Sequence, residues 1–210
     1  RRAPPAAFAH LRRQAGLIGA MYAAVADPYC YKGTEILKNR PGLRDARQLG
    51  RFEAAMTAQR AEEPFPPGRL SVAHYCAVHH HLFQDVYRWA GRFRVIRMGK
   101  GNSMFCYPEN VRREMAALFG RLRAWGYLRG TANGEFASRA AAFLADLNAI
   151  HCFRDGNGRC QLAFMAMLAN HAGHPFKLQR LRPRRFLAAM IRSFGGDLDP
   201  LADELRRLIA

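Results

Sequence analysis

Lysine is scarce in this sequence. Only Lys32, Lys38, Lys100 and Lys177 are present among 33 basic residues, and the other 29 are arginine. Acids are short as well: 16 Asp plus Glu leave a formal net charge of +17. No run of about 18 apolar residues occurs, which excludes a membrane-spanning helix. No long apolar stretch follows the basic start, so no signal peptide is read. Cysteine is limited to Cys30, Cys76, Cys106, Cys152 and Cys160, an odd number with no C-x-x-C pair. That excludes a disulfide framework and reads as free thiols in a reducing compartment. What is present suits a globular fold. Half of the 210 residues are hydrophobic and 23% are charged, which excludes general disorder and supplies one domain with a real core.

Arginine grips phosphates and carboxylates bidentately, and a strongly positive chain attracts nucleic acid, nucleotides or an acidic partner. A GC-rich genome produces the same bias without any function. The Arg180, Arg182, Arg184, Arg185 and Arg192 stretch, interleaved with Leu181, Phe186 and Met190, reads as a solvated helix face. Nucleic acid is therefore an open but not favoured partner.

Residues 1–27 read as a basic arm leading into a short helix, and residues 28–210 as one folded domain. Pro28, Gly33, Pro41 and Gly42 make 28–42 an ordered loop. Helices are predicted over 43–61, from the Ser71 cap to about Val86, and from Pro108 to about Trp125. Phe136, Phe143, Leu144, Leu147 and Ile150 line one face of a further helix that stops at His151. Others cover about 159–171, 186–191 and 201–209. Arg92 to Ile96 alternates as a strand, with Phe93 and Val95 opposite Arg92 and Arg94. A turn through Gly99, Gly101 and Asn102 and a return over 104–107 complete one hairpin. The fold class is all-α with one small β-hairpin.

The segment His151-Cys152-Phe153-Arg154-Asp155-Gly156-Asn157-Gly158-Arg159 carries chemistry. Two glycines around Asn157 let backbone N–H groups converge at the start of a helix, where dipole and unpaired donors favour an anion. Arg159 adds a cationic fork for phosphate. Asp155 beside that site suits Mg²⁺ bridging phosphates. His151, at the preceding helix end, is placed to act as a general base. The same residues also fit a plain turn after a capped helix. On a helix, His74, His81 and Cys76 do not share one face well, and the His79-His80-His81 run adds no zinc-ligand spacing, so no metal site is read there. Cys160 begins a helix beside Arg159, a position that favours a thiolate, but its first reading is packing.

The 151–159 segment resembles the signature of the Fic family: His, any residue, Phe, any residue, Asp or Glu, then Gly-Asn-Gly-Arg. Further likeness lies in Tyr29-Cys30-Tyr31-Lys32-Gly33-Thr34, in His81 to Gly91, and in Lys100-Gly101-Asn102-Ser103, which resembles the family's flap. The resemblance implies a Fic-like helical domain that transfers AMP from ATP to a Ser, Thr or Tyr hydroxyl of a protein, as a bacterial toxin or effector does. It implies that His151 takes the hydroxyl proton and Asp155 binds Mg²⁺. Gly156, Asn157, Gly158 and Arg159 would hold the phosphates, and Phe153 would anchor the loop. The flap at Lys100, Gly101, Asn102 and Ser103 would align the target segment by strand addition. Phosphorylating members carry Lys where this chain has Gly158, and phosphocholine-transferring members carry Ala where it has Gly156. Both glycines therefore favour AMP transfer.

The match fails at Leu162, where the signature has a second arginine that grips the terminal phosphate. Arg154 or an arginine of the 180–185 cluster is a candidate substitute. Thr131-Ala132-Asn133-Gly134-Glu135 resembles the family's inhibitory motif, but Phe136 stands where Gly or Asn should follow. Control is then expected from a separate acidic antitoxin-like chain or from a region upstream of Arg1. The alternatives are a Fic-like enzyme using another nucleotide-derived donor, and a non-catalytic scaffold that binds a nucleotide or a partner. The expected location is the bacterial cytoplasm, or the cytosol of a cell into which the protein is delivered.

Overall fold

The computed structural model describes residues 27–100 and 103–209, so the basic arm lies outside the described residues except for Asp27. Among them are seven α-helices and one two-stranded hairpin: α1 (Ala46–Glu62), α2 (Val72–Phe83), β1 (Gly99–Lys100), β2 (Ser103–Met104), α3 (Pro108–Ala124), α4 (Asn133–Ile150), α5 (Asn157–Ala172), α6 (Pro183–Phe194) and α7 (Asp199–Ile209). The helices expected within the described residues are all found, with shifted ends, and the short helix expected within 1–27 lies outside them. Asp45 caps α1 by accepting from the Gln48 N–H at 2.8 Å, and Ser71 caps α2 by accepting from His74 N–H. Pro108 opens α3 at a position where its missing N–H costs nothing. Helix α2 ends at Phe83 rather than near Val86, and α5 starts at Asn157 rather than Arg159.

The core is organised around α4. Its predicted apolar face is entirely buried, and Ala137, Ala140, Ala141 and Ala145 lie buried beside it. These small side chains let α3, α5, α6 and α7 approach α4 on several sides. Residues 28–42 form an ordered loop, as expected. Cys30 bridges Leu37, and Asn39 brackets the turn with its amide N–H on the Leu37 and Leu43 carbonyls and its oxygen on the Leu43 N–H.

The strand expected over 92–96 is not formed. The hairpin is shorter and later, pairing Gly99 with Met104 and Lys100 with Ser103 in antiparallel register. The expected facing holds at Arg92 and Phe93 and is reversed at the next pair. Arg94 is only 2% exposed, whereas Val95 is 69% exposed. The physical reason is that the Arg94 guanidinium satisfies backbone carbonyls that would otherwise be buried without a donor. It donates to His151 O at 2.7 Å, Ile150 O at 3.3 Å, Ile96 O and Cys106 O.

Candidate active site

His151 ends α4 in the left-handed conformation, φ 48° and ψ 58°, with its N–H on the Leu147 carbonyl. A non-glycine residue is strained there, and the site holds it by two means. Arg94 grips its carbonyl from below. Phe105, just after β2, stacks on its imidazole with centroids 3.8 Å apart and planes 8° apart. The backbone thus turns the ring into a cavity of about 560 Å³ between α4, α5 and α6, bordered by Phe105, Gly158, Gln161, Leu162 and Ile191.

The loop from 152 to 156 carries the chain from α4 to α5. Asn157 is 2% exposed and its side chain closes this loop, donating to Phe153 O at 2.8 Å and accepting from Phe153 N–H at 3.0 Å. Its amide is thus consumed structurally, and only its backbone N–H faces the helix end. Gly156 has φ +76°, and a Cβ there would sit 2.3 Å from the Phe83 ring. Glycine is required at this position by both conformation and space. At Gly158 an added Cβ would meet no protein atom, so its smallness leaves room for a ligand. The first bond inside α5 runs from Cys160 N–H to Gly156 O. The preceding N–H groups of the first turn point out of the helix end, as an anion cradle requires.

Asp155 is 44% exposed, and one of its oxygens accepts from the Gly156 N–H. Burial, followed by the negative charge of Glu53, pushes its carboxyl above the usual carboxylate range. Arg159 lies 3.8 Å from it across one turn of α5. A carboxylate beside a phosphate cradle, still open to solvent, fits Mg²⁺, which is commonly held by one or two carboxylates plus substrate phosphates. No group of three or more His, Cys, Asp or Glu side chains gathers for a metal among the described residues.

Several expectations are adjusted here. Arg154 does not replace the missing second arginine, because Asp27 holds its guanidinium at 2.7 Å. In the 180–185 cluster Arg185 pairs with Glu204 at 3.0 Å, and no arginine of that cluster borders the cavity. Leu162 is half-buried on the cavity wall rather than sealed in the core. Cys160 is fully buried, and burial raises its thiol well above the ordinary range, so it packs and does not react. Glu135 pairs with Arg139 on the surface of α4. Gly101 and Asn102 of the expected flap lie outside the described residues, and Lys100 and Ser103 are described by their backbone pairing alone.

Sequence reasoning missed His79. It is fully buried between the rings of Phe153, 3.7 Å away, and Phe83, 4.7 Å away. Its Nδ1 accepts from the Gly91 N–H at 2.8 Å, so Nε2–H donates to Asp155 O at 3.0 Å. One neutral imidazole therefore fixes the loop that carries the carboxylate. Burial lowers its pKa to about 3. Two other histidines of that helix meet backbone carbonyls, His74 that of Pro66 and His81 that of Arg60, and His80 is exposed.

Comparison with known proteins gives concordant matches. The sequence model of the Fic/DOC family matches residues 69–169. A probable protein adenylyltransferase of Sinorhizobium fredii is 53% identical over 189 residues, 90% of this chain and 98% of that one. A probable protein adenylyltransferase Fic of Salmonella typhimurium is 34% identical, covering 88% of this chain and 92% of that one. Among solved structures, the N-terminal Fic domain of a Bartonella quintana effector with bound ADP superposes with a TM-score of 0.77 at 30% identity, covering 86% of this chain and 93% of that one. The Bartonella tribocorum BepC protein with bound AMPPNP gives 0.76 at 28% identity, over 86% and 95%.

Proposed function

We propose, since the chain belongs to the Fic/DOC family, that it transfers AMP from ATP to the hydroxyl of a Ser, Thr or Tyr side chain of a target protein. The observation that carries this reading is the convergence of the His151 imidazole and the first turn of α5 on one cavity. The cavity gives an adenine ring apolar walls, and the helix end receives the phosphates.

In this reading His151 accepts the proton of the target hydroxyl as its oxygen bonds to the α-phosphorus. The α–β phosphoanhydride bond breaks and pyrophosphate leaves. Backbone N–H groups at 157 and 158 face the oxygens that gain charge, and preorganised donors of this kind lower such barriers most effectively. Arg159 holds the phosphates beyond the α position. Asp155 would hold Mg²⁺, which would neutralise the phosphate charge. Phe105 and Arg94 fix His151, so the base is oriented before the target arrives. The hairpin at 99–104, with Lys100, Gly101, Asn102 and Ser103, would receive the target segment as an added strand.

The same reading includes control by an acidic antitoxin-like chain and action in the bacterial cytoplasm or in a recipient cell's cytosol. No helix among the described residues is long and apolar enough to cross a membrane. A second reading keeps the chemistry and changes the donor. It is favoured by Leu162 on the cavity wall, where the signature arginine would meet a terminal phosphate. Incubation of a lysate with ATP labelled at the α- or the γ-phosphate tests both. Label from the α position alone, lost in His151→Ala, supports AMP transfer. Label from the γ position, or from neither, refutes it and calls for the other nucleotides.

A further inference from the structure

Arg159 is mounted by residues that lie outside the signature. Its guanidinium sits over the Phe83 ring, 4.6 Å from the centroid. One nitrogen is 3.4 Å from the Thr57 hydroxyl, and another donates to Oε1 of Glu53. Glu53 is itself immobilised. Its second oxygen accepts from the Tyr87 hydroxyl, and Tyr87 is buried and stacked on Trp89 with centroids 4.4 Å apart. Glu53 and Thr57 stand one turn apart on α1, which lies wholly before the residues matched by the family model.

A carboxylate with both oxygens engaged, and only 14% exposed, is built to stay in place. A removable latch would need a free swing into solvent. A guanidinium has five N–H donors in a rigid fork, so one bond to Glu53 orients it and leaves donors for a ligand. With Leu162 in the second arginine's place, Arg159 is the sole arginine of the signature's phosphate grip, and its orientation matters more. We propose that Glu53, braced by Tyr87, is the positioning residue that aims Arg159 at the β-phosphate of the donor nucleotide. This rests on the reading of Arg159 as a phosphate grip.

The test is calorimetric titration of the full chain with AMPPNP, ADP and adenosine in the presence of Mg²⁺. The variants are Glu53→Gln, Glu53→Asp, Tyr87→Phe, Arg159→Ala and the double variant Glu53→Gln/Arg159→Ala. Glu53→Gln should weaken AMPPNP and ADP by about tenfold, the scale of one charge-assisted bond lost. Glu53→Asp should recover part of that loss, and Tyr87→Phe, which leaves the carboxylate in place, should lose about threefold. Adenosine should bind all variants alike, which a general packing defect would not allow. The double variant should be no weaker than Arg159→Ala alone. Tighter binding of AMPPNP by Glu53→Gln would make Glu53 a competitor of the phosphate and overturn the proposal. Unchanged binding in Glu53→Gln would overturn it as well. If Arg159→Ala also leaves ADP binding intact, the phosphate-grip reading itself falls. If Arg159→Ala weakens binding and Glu53→Gln does not, only the positioning role falls.

Discussion

Leu162→Arg should restore a terminal-phosphate contact at small structural cost. Leu162 is half-buried and borders the cavity with Gln161 and Ile191, so an introduced guanidinium has a route to solvent or ligand. The lost leucine contacts amount to about 1 kcal/mol for a half-buried side chain. For a chain of this size that lowers the melting temperature by about 2–4 °C. A charge-assisted bond to phosphate contributes about 1.5–3 kcal/mol, and ordering the arginine side chain costs up to about 2 kcal/mol. The net gain is about 1 kcal/mol, or an affinity for ATP about fivefold tighter. Titration with ATP, ADP and AMP reads it: ATP should gain and AMP should not. Were the site a sealed core position, the buried unpaired charge would cost several kcal/mol and melting would fall by roughly 10 °C or more. Such a fall with no gain for ATP would refute this geometry and favour a donor without a terminal phosphate.

His151→Ala should reduce transfer by about 100-fold or more with little change in melting, and near-normal transfer would remove it from the role of base. Asp155→Ala should match the effect of EDTA on transfer, and a rate indifferent to EDTA would end the metal assignment. Glu135→Gly should leave transfer unchanged, because Glu135 pairs with Arg139 at the surface, and strong activation would show an inhibitory role. Stability should fall with acidity through His79, whose pKa is lowered from 6.5 to about 3. Below pH 6.5 the unfolded imidazole takes a proton that the folded one refuses until about pH 3, so stability is lost as pH falls across that window. Asp155, raised in the folded state, acts with the opposite sign, so the comparison is with His79→Phe, which should melt with a shallower acid slope. Equal slopes would show that His79 is not the group responsible.

The helical architecture was legible because α4 repeats Phe136, Phe143, Leu144, Leu147 and Ile150 at helical spacing, and burial enforces that period. The loop from His151 to Arg159 was legible because glycine is required at Gly156 and a helix must start there. The rest was not local. Glu53 reaches Arg159 across 106 positions and belongs to an ordinary surface-like helix pattern. His79 sits in a run of three histidines in which it meets Asp155 O, His81 meets Arg60 O and His80 is exposed, so type and spacing did not distinguish it. The 92–96 alternation misled because period-2 logic assumes that an arginine faces solvent. Arg94 violates that assumption.

Arg94 and Arg159 show why residue type alone could not assign these arginines. Arg159 is 42% exposed and oriented by a carboxylate, which leaves it accessible to an anionic ligand. Arg94 is buried with no carboxylate partner among the described residues, and its donors reach carbonyls from three pieces of chain: the end of α4, the segment before β1 and the segment after β2. Burial disfavours its charge, and the aligned carbonyl dipoles at the C-terminus of α4 offset that cost. The result ties the base of the hairpin to the backbone of His151. A target strand added to the hairpin would thereby be registered against the imidazole through one guanidinium. Arg94→Lys keeps the charge and loses the fork, since an ammonium cannot span carbonyls of separate segments in a plane. The site's geometry is accordingly carried by the shape of the Arg94 side chain as much as by its charge.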